Sequence, residues 1–202
     1  MATDRVPVAG VILAGGRGRR MGGQDKGWVH WRGRPLVEHV LERLQPQVST
    51  VILSANRNVE RYRGLGFPVV EDDHARHGSF AGPLAGMLAG LEQAETAWVA
   101  FVPCDAPCLP QDLVARLLAV ASSGPAVAPA LAVSAGRRQP VFCLLPRALA
   151  PRLATALSAG ERRPAVFLES VGAREVLFDD EAGFANINVL EHEAGPLCTR
   201  DG

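Results

Sequence analysis

Short apolar runs at 8–14, 51–53, 68–70 and 97–102 alternate with amphipathic stretches, and that alternation admits few folds. Runs this short and this continuously apolar suit strands buried on both faces, which requires helices on either side of the sheet. Parallel strands need crossover connections, so the pattern predicts βαβ units in an α/β, three-layer Rossmann-like fold with a mainly parallel central sheet. Leu36, Val37, Val40, Leu41 and Leu44 fall on one helical face behind Pro35, a residue suited to the first turn of a helix. Pro83 begins another helix through Leu91, in which Gly82, Ala85, Gly86, Ala89 and Gly90 present almost no side chain. That composition lowers helix propensity, so something must approach closely: the sheet, or a base or ribose at the helix N-terminus. Farther along, strands are expected near 125–130, 139–145 and 174–178, helices near 147–158 and 164–171, and a hairpin connection over 131–138. No linker or repeat divides the 202 residues, so a single domain is expected, with a polar tail from Glu191 that frays.

The first strand runs into VILAGGRGRRMGGQDK, residues 11–26. Gly15, Gly16, Gly22 and Gly23 permit close backbone approach and turns that aim successive N–H groups at an anion. Arg17, Arg19, Arg20 and Lys26 add four cations within ten residues, which points to a polyphosphate ligand. Two commoner glycine motifs do not fit. A Walker loop needs Gly-Lys followed by Ser or Thr, whereas Lys26 lies between Asp25 and Gly27. A dinucleotide fingerprint starting at Gly16 meets Met21 where its third glycine belongs, and no acidic residue ends the next strand.

Basic and acidic residues number 21 each, so no global field draws the chain to nucleic acid or to an acidic membrane, and neither is expected as a partner. No opening stretch has the apolar core of a signal peptide, and no run reaches the roughly 18 apolar residues of a membrane span, so a cytoplasmic protein is expected. Cys104, Cys108, Cys143 and Cys198 are too few and too scattered for a disulfide framework and are expected as free thiols. Cys104 and Cys108 are spaced like half a zinc site, but neighbouring prolines suggest a turn and the second ligand pair is absent.

The run Pro103-Cys104-Asp105-Ala106-Pro107 places Asp105 at the carboxyl end of a strand, the edge where ligands of parallel sheets bind. A lone carboxylate completed by phosphate oxygens and water is how magnesium is usually held beside nucleotides, so Asp105 is the expected metal ligand, for Mg²⁺ or alternatively Mn²⁺. A turn-forming Asp bonded to its own backbone is the competing reading. Asp72 also ends a strand. His74 and His77 follow it, but HxxH in a Gly- and Ser-containing segment lacks the helical spacing of zinc ligands and reads as a loop.

GVILAGGRGRRMGGQDKG, SANRN at 54–58, VVED at 69–72, GPLAGMLAGL at 82–91, PCDAPCLP at 103–110, AGERRP at 159–164 and NIN at 186–188 together resemble the molybdenum cofactor guanylyltransferases of the nucleotidyltransferase superfamily. The resemblance implies transfer of GMP from GTP to the terminal phosphate of Mo-molybdopterin. Lys26, Arg20 and Asp105 would be the catalytic residues. Leu13, Ala14, Gly15, Gly16, Lys26, Asp72 and Asp105 would hold the nucleotide, largely through backbone, with Ser54 at a position that is often a polar amide in the family. Arg162 (or Arg163), Asn186 and Asn188 would face the pterin, the two asparagines lying on one face of a short strand. The nucleotide half would span about 1–110 and the pterin half about 111–190, with transient contacts to molybdopterin-handling proteins and apo-molybdoenzymes or their chaperones. A cytidylyltransferase of the same pterin, a sugar-phosphate nucleotidyltransferase and a non-catalytic carrier subunit are the competing readings.

Overall fold

The structure, a computed structural model, describes residues 6–15, 25–73 and 82–187. Nine strands are described: β1 (Val8–Leu13), β2 (His30–Trp31), β3 (Arg34–Pro35), β4 (Thr50–Ser54), β5 (Val69–Val70), β6 (Trp98–Pro103), β7 (Ala130–Ser134), β8 (Arg137–Pro146) and β9 (Arg174–Phe178). Six α-helices accompany them: α1 (Leu36–Leu44), α2 (Val59–Arg63), α3 (Pro83–Gln93), α4 (Leu113–Ala121), α5 (Ala150–Ser158) and α6 (Pro164–Ser170). Seven strands form one sheet in the order β5-β4-β1-β6-β8-β7-β9, and β2 and β3 form a separate antiparallel ribbon. The first four strands of the sheet are mutually parallel, β8 runs antiparallel to both its neighbours, and β9 pairs parallel with β7.

Each central strand is buried on both sides because its residues alternate between two apolar layers. Val8 and Ile12 of β1 and Trp98, Ala100 and Val102 of β6 pack with α1 and α4. Ala9 and Val11, with Val99 and Phe101, pack with α3, α5 and α6 on the opposite face. All five apolar residues expected on one face of α1 are buried. Pro35 precedes the helix at its N-cap instead of entering its first turn, because it belongs to the β2–β3 ribbon.

Helix α3 lies so close to the sheet that glycine is required. A Cβ on Gly86 would stand 2.5 Å from Ser54 Oγ, and one on Gly90 would stand 2.8 Å from Val11 Cγ2 and 3.1 Å from Phe101 Cε1. Alanine at position 90 gains about 1 kcal/mol of helix propensity, but overpacking of this kind costs about 1–3 kcal/mol. With Cβ contacts as close as 2.8 Å the overpacking lies toward the upper end of that range, a net loss of about 1–2 kcal/mol, and a Gly90→Ala protein is expected to melt about 2–8 °C lower in a thermal scan. An unchanged Tm would mean that the helix can retreat from β1 without loss.

The second half departs from expectation at 125–138. No strand forms over 125–129; β7 begins at Ala130, and the expected connection shrinks to a two-residue turn. Ala135 (φ 50°) and Gly136 (φ 68°) are both left-handed, the geometry of the tight hairpin turn whose twist matches that of the strands. Cys104 and Cys143 are free and buried, as expected. Cys108 is disulfide-bonded, which corrects the expectation of a free thiol. Among the described residues no helix is long and apolar enough to cross a membrane.

Candidate active site

The chain leaves β1 for β4 on one side and reaches β6 on the other, so the strand order reverses at β1. Ligands of open parallel sheets bind in the crevice beyond the carboxyl ends of the strands at such a point. Asp105 lies two residues past β6, and Lys26 opens a short 3₁₀ turn, Lys26–Trp28. Although 79 residues apart in sequence, they meet here, Lys26 Nζ donating to Asp105 Oδ2 at 2.8 Å. The carboxylate side chain is 8% exposed and the lysine side chain 34%, so the cation is the more solvent-accessible member of the pair. Asp105 is thus an ion-pair partner and not merely a turn former. Its carbonyl accepts from the Ile187 N–H at 2.8 Å, and Ile187 is buried with Val29, Trp31, Leu36 and Cys108. That bond brings the NIN segment to the metal-ligand candidate. Asn186 is exposed there, but residues 185–187 form no strand, which corrects the expected alternation.

A second carboxylate is held by an asparagine. Asn56 Nδ2 donates to Asp72 Oδ2 at 2.7 Å, and the Asp72 N–H donates to Asn56 Oδ1 at 2.7 Å. The same Nδ2 would lie 2.8 Å from a Cβ on Gly15, so the glycine lets the loop strand pass directly over this amide. Asn56 therefore joins Gly15 to Asp72. Ser54, the position that is often a polar amide in the family, is only 1% exposed and lies beneath Gly86. Two residues beyond Ser54 in SANRN, the chain has left the strand and presents the Asn56 amide to Asp72.

Of the backbone groups expected to meet the nucleotide, Ala14 N–H already donates to Ser54 O at 2.7 Å, and Leu13 O accepts from Cys104 N at 3.2 Å. A carbonyl oxygen has two lone pairs, so Leu13 O can accept again, whereas the Ala14 N–H is spent. The Arg162 guanidinium donates to Leu157 O and Glu161 O at 2.7 and 2.8 Å, stabilising the C-terminal end of α5. Its own carbonyl comes to 3.5 Å from a Cβ built on Gly82, at the start of α3. Arg163 is bonded through Nε to Glu161, whose carboxyl is held below its ordinary range chiefly by the Arg163 N–H. Gly16, Arg17, Arg19, Arg20, Gly22, Gly23, His74, His77 and Asn188 lie outside the described residues.

Burial pushes the Cys104 thiol well up, so this neighbour of Asp105 stays neutral and offers no nucleophile. Among the described residues no three His, Cys, Asp or Glu side chains are grouped to hold a metal by themselves. Asp105 fits a hard divalent cation as one carboxylate ligand among phosphate and water oxygens. A cavity of about 560 Å³ on the flank of α1, lined by Trp31, Arg34, His39 and Pro107 among others, contains neither Lys26 nor Asp105. Charge, not concavity, locates the chemistry. Composition adds a pointer the motif reading did not use: Lys26 is the chain's only lysine, and the other 20 basic residues are arginine.

Comparison with known proteins shows the family and the fold. A protein of Cupriavidus pinatubonensis named molybdenum cofactor guanylyltransferase is 48% identical over 199 residues, covering 95% of this chain and 98% of the relative. One of the same name from Cupriavidus taiwanensis is 50% identical over 198 residues, covering 94% and 98%. The crystal structure of molybdopterin-guanine dinucleotide biosynthesis protein A from Archaeoglobus fulgidus superposes with a TM-score of 0.69 at 23% identity, over 90% of this chain and 92% of that one, and so shares the fold. The family model of the MobA-like NTP transferase domain matches residues 10–175, and with these full-length relatives it establishes that the chain belongs to the MobA-like nucleotidyltransferases.

Proposed function

We propose that the chain transfers GMP from GTP to the terminal phosphate of Mo-molybdopterin, releasing pyrophosphate and giving the molybdopterin guanine dinucleotide cofactor. The observation that carries this reading is the Lys26–Asp105 pair at 2.8 Å, placed at the switch point of the sheet in a chain about half identical to molybdenum cofactor guanylyltransferases. An acceptor phosphate attacks the α-phosphorus of GTP in line, the bond to the β-phosphate oxygen breaks, and pyrophosphate leaves. Both reactants are anions, so positioning and charge neutralisation are the main barriers the protein can lower. Lys26 and Arg20 neutralise phosphate oxygens. Leu13, Ala14, Gly15 and Gly16 border the nucleotide through backbone, and Asp72 is oriented toward it by Asn56. Asn186, Asn188 and Arg162 serve the pterin side.

Asp105 would hold Mg²⁺, or Mn²⁺ in its place; when bound, the cation supplies Lewis-acid neutralisation of phosphate oxygens. We assign residues 1–110 to the nucleotide and 111–190 to the pterin within one domain. The setting is the cytoplasm, with transient contacts to molybdopterin-handling proteins and apo-molybdoenzymes or their chaperones. Retention of both Lys26 and Asp105 argues against a non-catalytic carrier.

The test is pyrophosphate release with molybdopterin and magnesium, comparing GTP, CTP, ATP and UTP. A site that hydrogen-bonds one base rejects another by up to about 10⁴-fold, so release confined to GTP is expected. A CTP preference would move the chain to the cytidylyl branch, and no release with any nucleotide would sink the transferase reading.

A further inference from the structure

Asp25 takes no part in the chemistry above, yet three donors, one from its own turn and two from α2 and its N-cap, converge on its carboxylate. Oδ1 accepts from Tyr62 Oη at 2.7 Å and from the Gly27 N–H at 3.2 Å, and Oδ2 accepts from Asn58 Nδ2 at 3.0 Å. The bond from Gly27 makes Asp25 the N-cap of the Lys26–Trp28 turn, so the capped turn begins at the lysine itself.

The surroundings are shaped to let these bonds form. Tyr62 is completely buried, and a Cβ on residue 27 would stand 2.3 Å from its hydroxyl oxygen. Glycine at 27 is thus demanded by the passage of the phenol, and not by a left-handed backbone of its own. Asn58 is left-handed (φ 50°), an uncommon conformation outside glycine that asparagine tolerates better than most residues. Trp28 packs on Tyr62 at 5.0 Å between centroids, with the Arg61 guanidinium 3.8 Å over the indole ring. Burial raises the Tyr62 phenol far above its ordinary value, so the hydroxyl remains a donor throughout the working pH range.

We infer that Asp25 is a positioning residue that, with Tyr62 and Asn58, holds the Lys26–Trp28 turn so that the only ammonium side chain of the protein is delivered to Asp105 and to the phosphates. This rests on the reading of Lys26 as the phosphate-neutralising group. A lysine stem has several rotatable bonds and reaches many places from a loose anchor. Fixing the turn at its first residue narrows that reach.

Because Lys26 is the sole lysine, protein grown on ε-¹³C lysine and carrying a lysine-free tag has one labelled side-chain carbon. Its NMR resonance reports the position of Lys26 without any need for activity. In the parent we expect two distinct methylene proton shifts, displaced from those of free lysine. Tyr62→Phe, which removes one oxygen and keeps the ring, should move the signal toward the free-lysine position with the near-UV circular dichroism unchanged. Asp25→Ala should move it farther, and Asn58→Gly, which keeps the left-handed backbone, should move it less. In the pyrophosphate assay, Tyr62→Phe should lower kcat about tenfold, with KM for GTP changed less than about threefold. Added to Lys26→Ala, it should cost nothing further, as expected of residues that act through one another.

A parent resonance already at the free-lysine position, a resonance unmoved in Tyr62→Phe, or a loss that adds in the Lys26→Ala background would each overturn the inference. A parent that releases no pyrophosphate with any nucleotide would overturn the function instead, and the resonance would still decide the role of Asp25.

Discussion

A Lys26→Ala protein is expected to release pyrophosphate about a thousandfold more slowly than the parent, with kcat and kcat/KM falling together. A unit charge 4 Å from a developing phosphate charge contributes about 4 kcal/mol at a surface-like dielectric, and loss of one preorganised donor costs about 10²–10³ in rate. The 34% exposure of the lysine side chain lowers the first figure through solvent screening, which keeps the two estimates near each other. Lys26→Arg should recover only a small part of the loss. A compact ammonium sits against a single carboxylate oxygen, whereas a guanidinium is a planar fork that cannot occupy the same point. A chain that uses arginine at its 20 other basic positions makes this comparison pointed, because charge alone would be met by a twenty-first. Steady-state kinetics on the two variants decides the matter: near-parental turnover in Lys26→Ala would remove this residue from the mechanism.

Asp105→Asn is expected to lower activity about 10²–10³-fold and to raise the magnesium concentration for half-maximal rate at least about tenfold. Asparagine keeps the shape and an oxygen that can accept from Lys26, so the variant separates charge from geometry. The parent should lose activity to a chelator and regain it on addition of magnesium. Metal dependence unaltered in Asp105→Asn would take the cation away from this carboxylate. The fold should survive the change, because Asp105 is also anchored through its backbone carbonyl by Ile187.

The parallel half of the sheet was legible because β1, β4 and β6 are buried on both faces and therefore read as unbroken apolar runs. The hairpin half was not. β8 opens with Arg137-Arg138-Gln139-Pro140, which reads as a loop until the left-handed Ala135-Gly136 turn shows that these residues are already paired with β7. The β2–β3 ribbon is too short to register as a period of two. Lys26 and Asp105 stand out as candidates in the sequence because each ends a pattern with its own chemistry, and the fold brings the two together. The Asn56–Asp72 contact was not legible because it joins residues 16 apart that only the fold brings together. Asp25 served only to exclude a Walker loop, since its partners at 58 and 62 come together only in the fold.

The pairing of Lys26 with Asp105 also bears on the order in which the protein takes up its ligands. While the ammonium rests on the carboxylate, each charge partly cancels the other, although the lysine side chain stays 34% exposed. On the proposed reading, a triphosphate that drew Lys26 toward itself would uncover Asp105, and a cation held by Asp105 would free Lys26 for the triphosphate. Each ligand would thus unlock the place of the other, an interlock that would favour their arrival as one metal–nucleotide unit over the accumulation of either alone.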